Sequence, residues 1–543
     1  MSNGTIPQTD QRDERSPVGL PRQTSSIVRS ALLVACLFAA DKLLGIVREA
    51  AVGRAFGTSA VLDAYFAAFE VPEGLNTIVT GAALTTALIP VLSNVICHSG
   101  RQEVWRLFSC VINWVLIVTG LACMAAAILA RPIILALAPG FIEQPAQAAL
   151  ATRLMRLVLI QTLVFSASTV LTGTLEAHKH FLLPALGPMC YTAGRILGAL
   201  VLAPRWGIFG LAWGGIGGAL AHLLVKLPWL VQHRAHWMPV LFHPALPGLL
   251  RLMGPRVLGM GVTYVTFVLP TTFGSFLPAG AIAAYEYAWK LMQLPETILG
   301  TAIGTVVFPT LAGMASRGDE DDLRRTFSWA LRLILALSIP AAVGLVVVGR
   351  PLTALLLQRG VFDELATARV YQALRFLALG LVTHSVLEVV ARVFYARRDM
   401  WTPLWAALCG LALNAAVGWA LLPYLEQGAI ALANAMGAGL QVVLLLLAAR
   451  RLVGRAEGWK LGISSARTML AATVMGGALI AFQMLLPGAG SLVTGVGSGL
   501  LGVLIYATVA VMLGSEEIRM LPRLLVERSG QRDCRTGEGD SHL

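Results

Sequence analysis

One stretch of apolar sequence carries four charged side chains whose types and spacing suit the binding of an anion. The segment AADKLLGIVREAAVGRAFG, residues 39–57, contains Asp41, Lys42, Arg48 and Glu49. Asp41 and Arg48 are seven residues apart and the other two share that spacing, so a helix turning by about 100° per residue places all four within roughly 120°. Lysine and arginine suit phosphate groups, and the carboxylates would balance their charge. This polar stripe predicts a hydrated cavity of mixed charge with a bias toward anions.

Polar residues at helical spacing recur in three later apolar segments. Those of the first of these segments are expected to face the stripe, because an isolated charge facing lipid costs about 2.5–3.5 kcal/mol or more. In the other two segments, acid and base lie four residues apart with the acid first, which is the favourable order for a helical ion pair. The residues are Asp63, Glu70, Glu73, Asn76 and Thr77 in the first segment, Glu286, Lys290 and Gln293 in the second, and Glu388 and Arg392 in the third.

These residues form a candidate site that contains substrate-binding residues and gating or charge-balancing residues. An alternative is that the charges neutralise one another and only fix helix packing; for the third pair both interpretations stay open. For the stripe, function is favoured, because apolar residues could replace a buried ion pair at little cost in stability. The predicted substrate-binding residues are Lys42, Arg48, Lys290, Asp63 and Asn76, and the predicted gating or charge-balancing residues are Asp41, Glu49, Glu286, Gln293, Glu388 and Arg392.

Two further basic residues and one glycine-rich segment lie in the apolar helices outside the predicted site. Arg195 is a lone charge in its predicted helix and a weaker candidate for the site. Lys226 is expected to extend its side chain toward the cytoplasmic end of its helix, where the ammonium reaches water. The GGIGG sequence at 214–218 predicts a surface on which two helices pack closely.

The composition indicates that these segments belong to a membrane protein. Of the 543 residues, 57% are hydrophobic and only 13% are charged, and the mean hydropathy is +0.74. A soluble protein of this length does not reach such values, so we predict an all-α polytopic membrane protein. The net charge of +12 is carried by basic residues scattered between apolar segments, which argues against nucleic-acid binding and for a topology signal.

Other classes of chemistry have little support in the sequence. We find no Walker A motif, no H-E-x-x-H and no G-x-S-x-G, which argues against ATP-driven transport and hydrolysis. The seven cysteines are scattered and form no C-x-x-C pair. His233, His236 and His243 cluster without cysteine or acidic companions and are interpreted as a loop facing the charged membrane surface. We therefore expect a carrier with no catalytic residues, no metal and no cofactor.

Apolar runs cut at charged or Pro- and Gly-rich breaks predict fourteen transmembrane helices. Basic residues then fall mainly in alternate loops, so the positive-inside rule places both termini in the cytoplasm. The basic loops hold, among others, Arg101, Arg106, Lys179, Arg234, Arg317, Arg397 and Lys460, and the opposite side chiefly Arg54, Arg205 and Arg359. The helices are predicted near 27–50, 60–96, 106–139, 152–177, 183–203, 207–232, 252–277, 280–314, 326–357, 369–396, 402–424, 427–449, 466–486 and 493–514.

The chain matches itself at a shift of 219 residues, which predicts an internal duplication. Pro90 aligns with Pro309, and Arg131-Pro132 with Arg350-Pro351. Shared lipid-facing composition would not keep proline, glycine and arginine in one register over a hundred residues. Six helices separate the copies, so both are expected to run in the same direction and to form two lobes that rock about a central site. The predicted parts are a disordered cytoplasmic tail (1–26), an N-lobe (27–232), a cytoplasmic linker (233–251), a C-lobe (252–452), a cytoplasmic loop (453–465), an appended helix pair (466–514) and a cytoplasmic tail (515–543).

Four stretches of the sequence resemble a known family. DKLLGIVREAAVGRAFGTSAVLDAYFAAFEVPE, GAALTTALIPVLS at 81–93, LPETILGTAIGTVVFPTLA at 294–312 and FYARRDMWTP at 394–403 are similar to the MurJ (MviN) lipid II flippases of the MOP exporter superfamily. The similarity extends from about residue 27 to 455 and includes the count of fourteen helices. It implies a protein of the bacterial cytoplasmic membrane that moves undecaprenyl-pyrophosphate-linked peptidoglycan precursor to the outer leaflet by alternating access, driven by a coupling ion or the membrane potential. The headgroup would enter a central cationic cavity, while the lipid tail follows a groove beside the last two helices. The implied partners are the lipid-linked glycan, membrane lipids and proteins of cell-wall or glycan synthesis.

The resemblance matches the candidate site only in part. Arg48 falls on a family arginine and Asp63 on a family aspartate, whereas Lys42 and Lys290 stand where the family usually has arginine. A lysine keeps the charge but loses the bidentate fork. The other departures are Asp41 for a usual serine, Glu49 for a usual aspartate, Asn76 and Thr77 where many relatives carry arginine, Gln293 where an acid is common, and Trp289 where the family has an acid for which Glu286 could compensate.

These departures leave several functions open. The leading prediction is translocation of lipid II, and the second is export of another polyprenyl-linked oligosaccharide for exopolysaccharide or a surface glycan. A drug exporter of the related MATE type is disfavoured, because a cationic cavity repels the usual cationic drugs. From a different class, the chain could be a membrane scaffold that transports nothing and whose polar stripes are structural.

Overall fold

A computed structural model describes residues 22–77, 82–397, 399–453, 458–486 and 490–519. Over these residues the secondary structure is helical, with no β-strand, as predicted. Ten helices of the described part are long and apolar enough to cross a membrane. The α-helices are α1 (Arg22–Phe56), α2 (Ala60–Leu75), α3 (Ala82–His98), α4 (Arg101–Ile128), α5 (Ala130–Leu137), α6 (Pro145–Ala177), α7 (Leu182–Leu197), α8 (Ala203–Trp206), α9 (Ile208–Leu224), α10 (Leu227–Gln232), α11 (Leu246–Gly274), α12 (Ala281–Glu296), α13 (Ala302–Arg317), α14 (Glu320–Leu357), α15 (Glu364–Ala396), α16 (Trp401–Leu425), α17 (Gln427–Val453), α18 (Gly458–Leu485) and α19 (Ser498–Met512).

The helix that carries the polar stripe is longer at both ends than predicted. α1 has 35 residues and is unbroken, because its charges share one face and leave the remaining surface apolar. It ends before Gly57, whose φ of +56° is a left-handed conformation that glycine adopts without strain. Residues 22–26, predicted to be disordered, belong to α1. The rest of that predicted tail lies outside the described residues.

Six predicted helices are not single α-helices, among them the fourteenth, which begins with the π-helical turn Val493–Gly497. The third breaks at Leu129, where the backbone leaves helical geometry just before Pro132, a residue that cannot continue a preceding helix. The sixth breaks between α9 and α10. The fifth and eighth contain π-helical turns, Gly198–Leu202 and Thr297–Thr301. The second divides into α2 and α3, with Asn76 and Thr77 in π-helical conformation and residues 78–81 outside the described part.

The predicted linker between the two lobes is shorter than expected and packs against α4. α11 begins at Leu246 instead of 252, with a proline in its first turn, a favoured position for starting a helix. Asn113 Nδ2 donates to the carbonyls of Met238 and Val240, each at 3.0 Å. The prediction that His243 faces the membrane surface is wrong, because it is 8% exposed and its Nε2 lies 3.3 Å from a carboxylate oxygen of Glu103 on α4.

The last two helices pack against α14. Tyr506 of α19 donates a hydrogen bond of 2.5 Å to the Ala336 carbonyl. Arg332 of α14 lies 3.2 Å from Glu517, which is 3% exposed, so the predicted C-terminal tail from 515 begins with a docked segment. The predicted loop 453–465 is also largely helical, since α18 begins at Gly458. Residues 454–457 and 520–543 lie outside the described part.

The largest apolar core brings α1, α2, α6, α12 and α15 together. Leu62 and Tyr65 of α2, Leu154 of α6, Tyr287 of α12 and Leu374 of α15 are all buried in it. Since these helices come from distant parts of the chain, the core holds the polar face of α12 beside the stripe of α1.

The glycines of 214–218 give a direct test of helix packing between α7 and α9. A Cβ added to Gly214 would lie 2.4 Å from the Cα of Gly198, whereas one added to Gly217 would meet no atom within 4 Å. We expect Gly214→Ala to cost about 1–3 kcal/mol through overpacking. Gly217→Ala, the matched control in the same sequence, should be neutral or slightly stabilising because alanine favours the helix. Thermal unfolding of the purified variants in detergent measures both effects, and equal melting temperatures would contradict the close contact.

Candidate functional site

Four charged side chains from two helices meet in what we call the charged cluster: Arg48 and Glu49 of α1, and Glu286 and Lys290 of α12. Arg48 Nη2 donates to Glu49 Oε1 at 2.6 Å, and Arg48 Nε donates to the same oxygen at 2.9 Å. Lys290 Nζ lies 3.3 Å from the other oxygen of Glu49 and 3.8 Å from Glu286 Oε2. The carboxylate of Glu49 therefore bridges two cations. The structure thus places the stripe of α1 against the polar face of α12.

The stripe lines one cavity of about 180 Å³. Asp41 accepts a hydrogen bond of 3.2 Å from Thr192 Oγ1, which joins α1 to α7. Lys290 Nζ also lies 4.6 Å above the ring of Phe66, a distance suited to a cation–π interaction. Arg48 is 21% and Lys290 24% exposed, so both cations remain reachable by a ligand. The lining includes Asp41, Lys42, Arg48, Glu49, Thr192, Lys290 and Gln293.

Arg195 of α7 packs on aromatic rings of α2 and lies within electrostatic range of Glu49, a position that the sequence did not indicate. Its guanidinium carbon lies 5.9 Å from the ring centroid of Tyr65 and 5.7 Å from that of Phe69. It also interacts electrostatically with Glu49 and Glu73. Since these partners come from other helices, no spacing within the fifth predicted helix could have indicated them.

Asp63 is not part of the cavity, and the prediction that it faces the stripe is wrong. Its side chain is 2% exposed. One carboxylate oxygen accepts the backbone N–H of Gly280 at 2.5 Å and the other that of Ala283 at 2.8 Å. These are donors at the start of α12, where the unpaired N–H groups and the helix dipole favour a negative charge. Asp63 therefore caps α12 from α2.

Two more polar residues of the second predicted helix contact other elements of the fold. Glu70 faces α11, where Thr271 Oγ1 donates to its carboxylate at 2.5 Å and the Tyr264 hydroxyl donates to its backbone carbonyl. Asn76 lies half-buried at the C-terminal end of α2, with its N–H directed to the carbonyls of Pro72 and Glu73. The predicted polar face of the second helix is thus divided among several neighbouring helices.

Glu388 and Arg392 lie in a second cavity of about 710 Å³. Arg392 Nη2 donates to Glu388 Oε2 at 2.8 Å, as their spacing predicted. The pair shares this cavity with residues of α12, α13, α16 and α17, and neither Glu388 nor Arg392 lines the cavity of the stripe. Gln293 lines both cavities. Polar residues of the second cavity also include Glu296, His384, Asn414, Asn434 and Gln441.

Lys226 does not reach the membrane surface, and that prediction is wrong. It is 0% exposed, and its Nζ donates to Thr172 Oγ1 at 2.7 Å and Ser168 Oγ at 2.9 Å. The sequence of one helix does not distinguish a lysine that reaches toward water from a lysine that finds hydroxyl partners on a neighbouring helix.

Within the described residues, no three or more His, Cys, Asp or Glu side chains are placed to hold a metal ion.

Together these features define a multi-pass membrane transporter. Apolar helices long enough to span a bilayer enclose a cavity of mixed charge, and two of its linked residues, Glu49 and Lys290, are 241 positions apart in the chain. Ionisable residues that face a cavity inside such a helix assembly mark a solute pathway.

Comparison with known proteins identifies the family. A sequence model described as "Lipid II flippase MurJ" matches residues 52–497. The Lipid II flippase MurJ of Burkholderia cenocepacia is 28% identical over 439 residues, covering 78% of this chain and 84% of that protein. The probable lipid II flippase MurJ of Rhizobium tropici is 27% identical over 526 residues, covering 92% and 97%. The chain belongs to the lipid II flippase MurJ family.

Solved structures show the same fold. A lipid II flippase MurJ in an inward closed conformation superposes with a TM-score of 0.76 at 21% identity, over 89% of this chain and 98% of that one. An inward-facing multidrug resistance MATE family transporter of the MOP superfamily gives a TM-score of 0.64 at 15% identity, over 76% and 94%. With ten helices among the described residues that are long and apolar enough to span a membrane, and with MurJ relatives, the chain is a multi-pass inner-membrane protein.

Proposed function

We propose that the chain translocates lipid II, the undecaprenyl-pyrophosphate-linked peptidoglycan precursor, from the inner to the outer leaflet by alternating access. The observation that carries the proposal is the bridging of Arg48 and Lys290 by Glu49 in a cavity enclosed by α1 and α12. A pyrophosphate needs clustered cations, and a carrier has to release its substrate again. The family match supports lipid II as the substrate.

In this proposal Glu49 acts as an internal competitor for the substrate. Its carboxylate neutralises Arg48 and Lys290 while the site is empty, so the carrier can return without leaving two buried cations unpaired. An incoming pyrophosphate would take over these contacts, with Arg48 offering a planar fork and Lys290 a point charge. Lys42 would add positive charge at the cavity wall and Asp41 would balance it, while Arg195 would act on Glu49 from behind the wall.

We expect Glu49→Gln to bind lipid II roughly fivefold to tenfold more tightly and to translocate it more slowly, because both cations lose their competing carboxylate. Binding to the purified protein and translocation in reconstituted vesicles would be measured side by side. Glu364→Gln removes the acid of an exposed pair with Arg350 and serves as the matched control, with wild-type behaviour expected. Weaker binding by Glu49→Gln would show that Glu49 positions the cations instead of competing for them.

Rescue of bacteria depleted of their own lipid II flippase tests the function. The chain should restore growth and cell shape when expressed in the inner membrane. Absence of rescue at good membrane expression would reject lipid II as the substrate. Restored export of another lipid-linked glycan in a suitable mutant would then identify the second predicted function, and drug resistance would identify the third.

We further propose that both termini are cytoplasmic and that lipid-linked glycan, membrane lipids and proteins of cell-wall synthesis are the partners. The orientation is supported by the basic residues that fall in alternate loops. In a cysteine-free background, Gly100→Cys should be protected from a membrane-impermeant maleimide in intact cells, whereas Glu143→Cys should react. The opposite labelling would reverse the topology.

A further inference from the structure

A second group of buried titratable side chains lies outside the charged cluster, between α6 and the junction of α9 with α10. Lys226 is its centre, and both of its closest acceptors, Ser168 Oγ and Thr172 Oγ1, are neutral hydroxyls. Among the described residues no carboxylate forms an ion pair with Lys226, and Glu176 of α6 interacts with it only at longer range. A fully buried ammonium without a paired anion is costly, so the environment does not require the charged form.

His222 lies one helical turn before Lys226 and competes for the same proton. Its ring nitrogens are 3.3 and 3.4 Å from Lys226 Nζ. Its Nδ1 is also 2.7 Å from Ser168 Oγ, so one hydroxyl links both bases. Two bases at this distance do not both carry a positive charge in a buried site, because like charges strongly disfavour each other. The pair therefore has two accessible states that differ by one proton.

The pair is in direct contact with a helix that reaches the charged cluster. α7 packs on His222, since a Cβ on Gly187 would lie 2.5 Å from its ring. The same helix carries Thr192, bonded to Asp41, and Arg195. The ring of Phe165 packs on His222 from α6, with centroids 5.1 Å apart. The titratable groups that face the pair are Glu176 on α6 and Cys190 and Tyr191 on α7.

We propose that Lys226 and His222 form a proton-binding site, and that binding and release of this proton are coupled to the position of α7. Through Thr192 and Arg195 the movement of α7 reaches Asp41 and the charged cluster. The ligand is a proton taken from one side of the membrane and released to the other. The link to transport rests on the proposed function, whereas the proton site itself does not.

The test uses the purified full chain in vesicles that contain fluorescent lipid II. The membrane potential is clamped at zero with potassium and valinomycin, and a pH gradient is imposed. We expect the gradient to accelerate translocation by the wild type several-fold. Lys226→Met, which cannot bind the proton, and Lys226→Arg, which cannot release it, should both lose this acceleration. Lys179→Met, a change of an exposed lysine in the loop after α6, should keep it.

Each outcome bears on one of the two proposals. Translocation by the wild type without any response to the gradient, or an undiminished response in Lys226→Met, overturns the proton site and leaves the substrate assignment intact. If the wild type moves no lipid II, the proposed function fails. The site is then tested by potentiometric titration in detergent around neutral pH, where an ordinary lysine stays protonated. In that range wild type and Lys226→Met should differ by about one proton per molecule, and equal proton uptake overturns the site. If Lys226→Met does not fold, His222→Gln and Thr172→Val take its place in both measurements.

Discussion

Replacing Arg48 with alanine should abolish translocation of lipid II while the protein still folds and reaches the membrane. Arg48 donates two hydrogen bonds to Glu49 and lines the cavity, so its removal leaves Lys290 as the cation opposite that carboxylate. A hydrogen bond to a charged group contributes about 1.5–3 kcal/mol, which corresponds to a loss of binding of roughly 10- to 150-fold. The substitution also leaves Glu49 free to repel the pyrophosphate. Translocation in vesicles and binding to the purified protein provide the measurements.

Two further variants sharpen this test. Arg48→Lys should retain part of the activity, because it keeps the charge and loses the fork. Arg54→Ala, in the last turn of the same helix and exposed, is the matched control and should translocate at the wild-type rate. Wild-type activity of Arg48→Ala would assign the stripe to helix packing, the alternative that the sequence left open.

The substitution Asp63→Ala should lower the stability of the protein and leave lipid II binding intact. The substitution leaves the N–H groups of Gly280 and Ala283 without their acceptor in a buried position. Loss of a helix cap combined with buried unsatisfied donors lowers the free energy of unfolding by about 2–4 kcal/mol. Thermal unfolding in detergent should show a clearly lower melting temperature, while the fraction that remains folded binds lipid II normally.

Asp363 provides the comparison for this effect. It caps α15 by accepting the N–H of Ala366 at 2.8 Å, but in an exposed position. Asp363→Ala should therefore cost only about 1 kcal/mol. Equal losses of unfolding free energy in both variants would contradict the larger contribution to stability that we expect from Asp63. Unchanged stability together with lost binding in Asp63→Ala would return it to the predicted role of a substrate ligand.

The fold could be predicted from the sequence because lipid imposes a simple rule on it. Segments long and apolar enough to span the bilayer have few alternatives to a helix, so an all-α polytopic protein follows from composition and spacing. The breaks and π-helical turns within these helices cannot be predicted from composition and spacing. The break at Leu129 and the π-helical turn Thr297–Thr301 depend on how backbone groups are satisfied by neighbouring helices, and that information is absent from a single segment.

The site was predictable where one helix determines it. Helical periodicity alone places Asp41, Lys42, Arg48 and Glu49 on one face, and they do line one cavity. Periodicity fails where the partner lies elsewhere in the chain. The carboxylate of Asp63 serves a backbone N–H 217 residues away, an interaction that no spacing reveals. Arg195 and Lys226 were undervalued for the same reason, since their partners are rings and hydroxyls on other helices.

The docking of the linker on α4 limits where the two predicted lobes could pivot. Backbone carbonyls up to Leu241 are held by Asn113 and Trp114, and His243 contacts α4 as well. The free joint is therefore reduced to the few residues before Leu246. In such a movement α11 would act as a lever arm of roughly 44 Å, on which a rotation of about 10° would displace the far end by roughly 8 Å. Near that far end Thr271 donates to Glu70 of α2, so a small turn at the joint would displace this contact far more than any contact beside the joint.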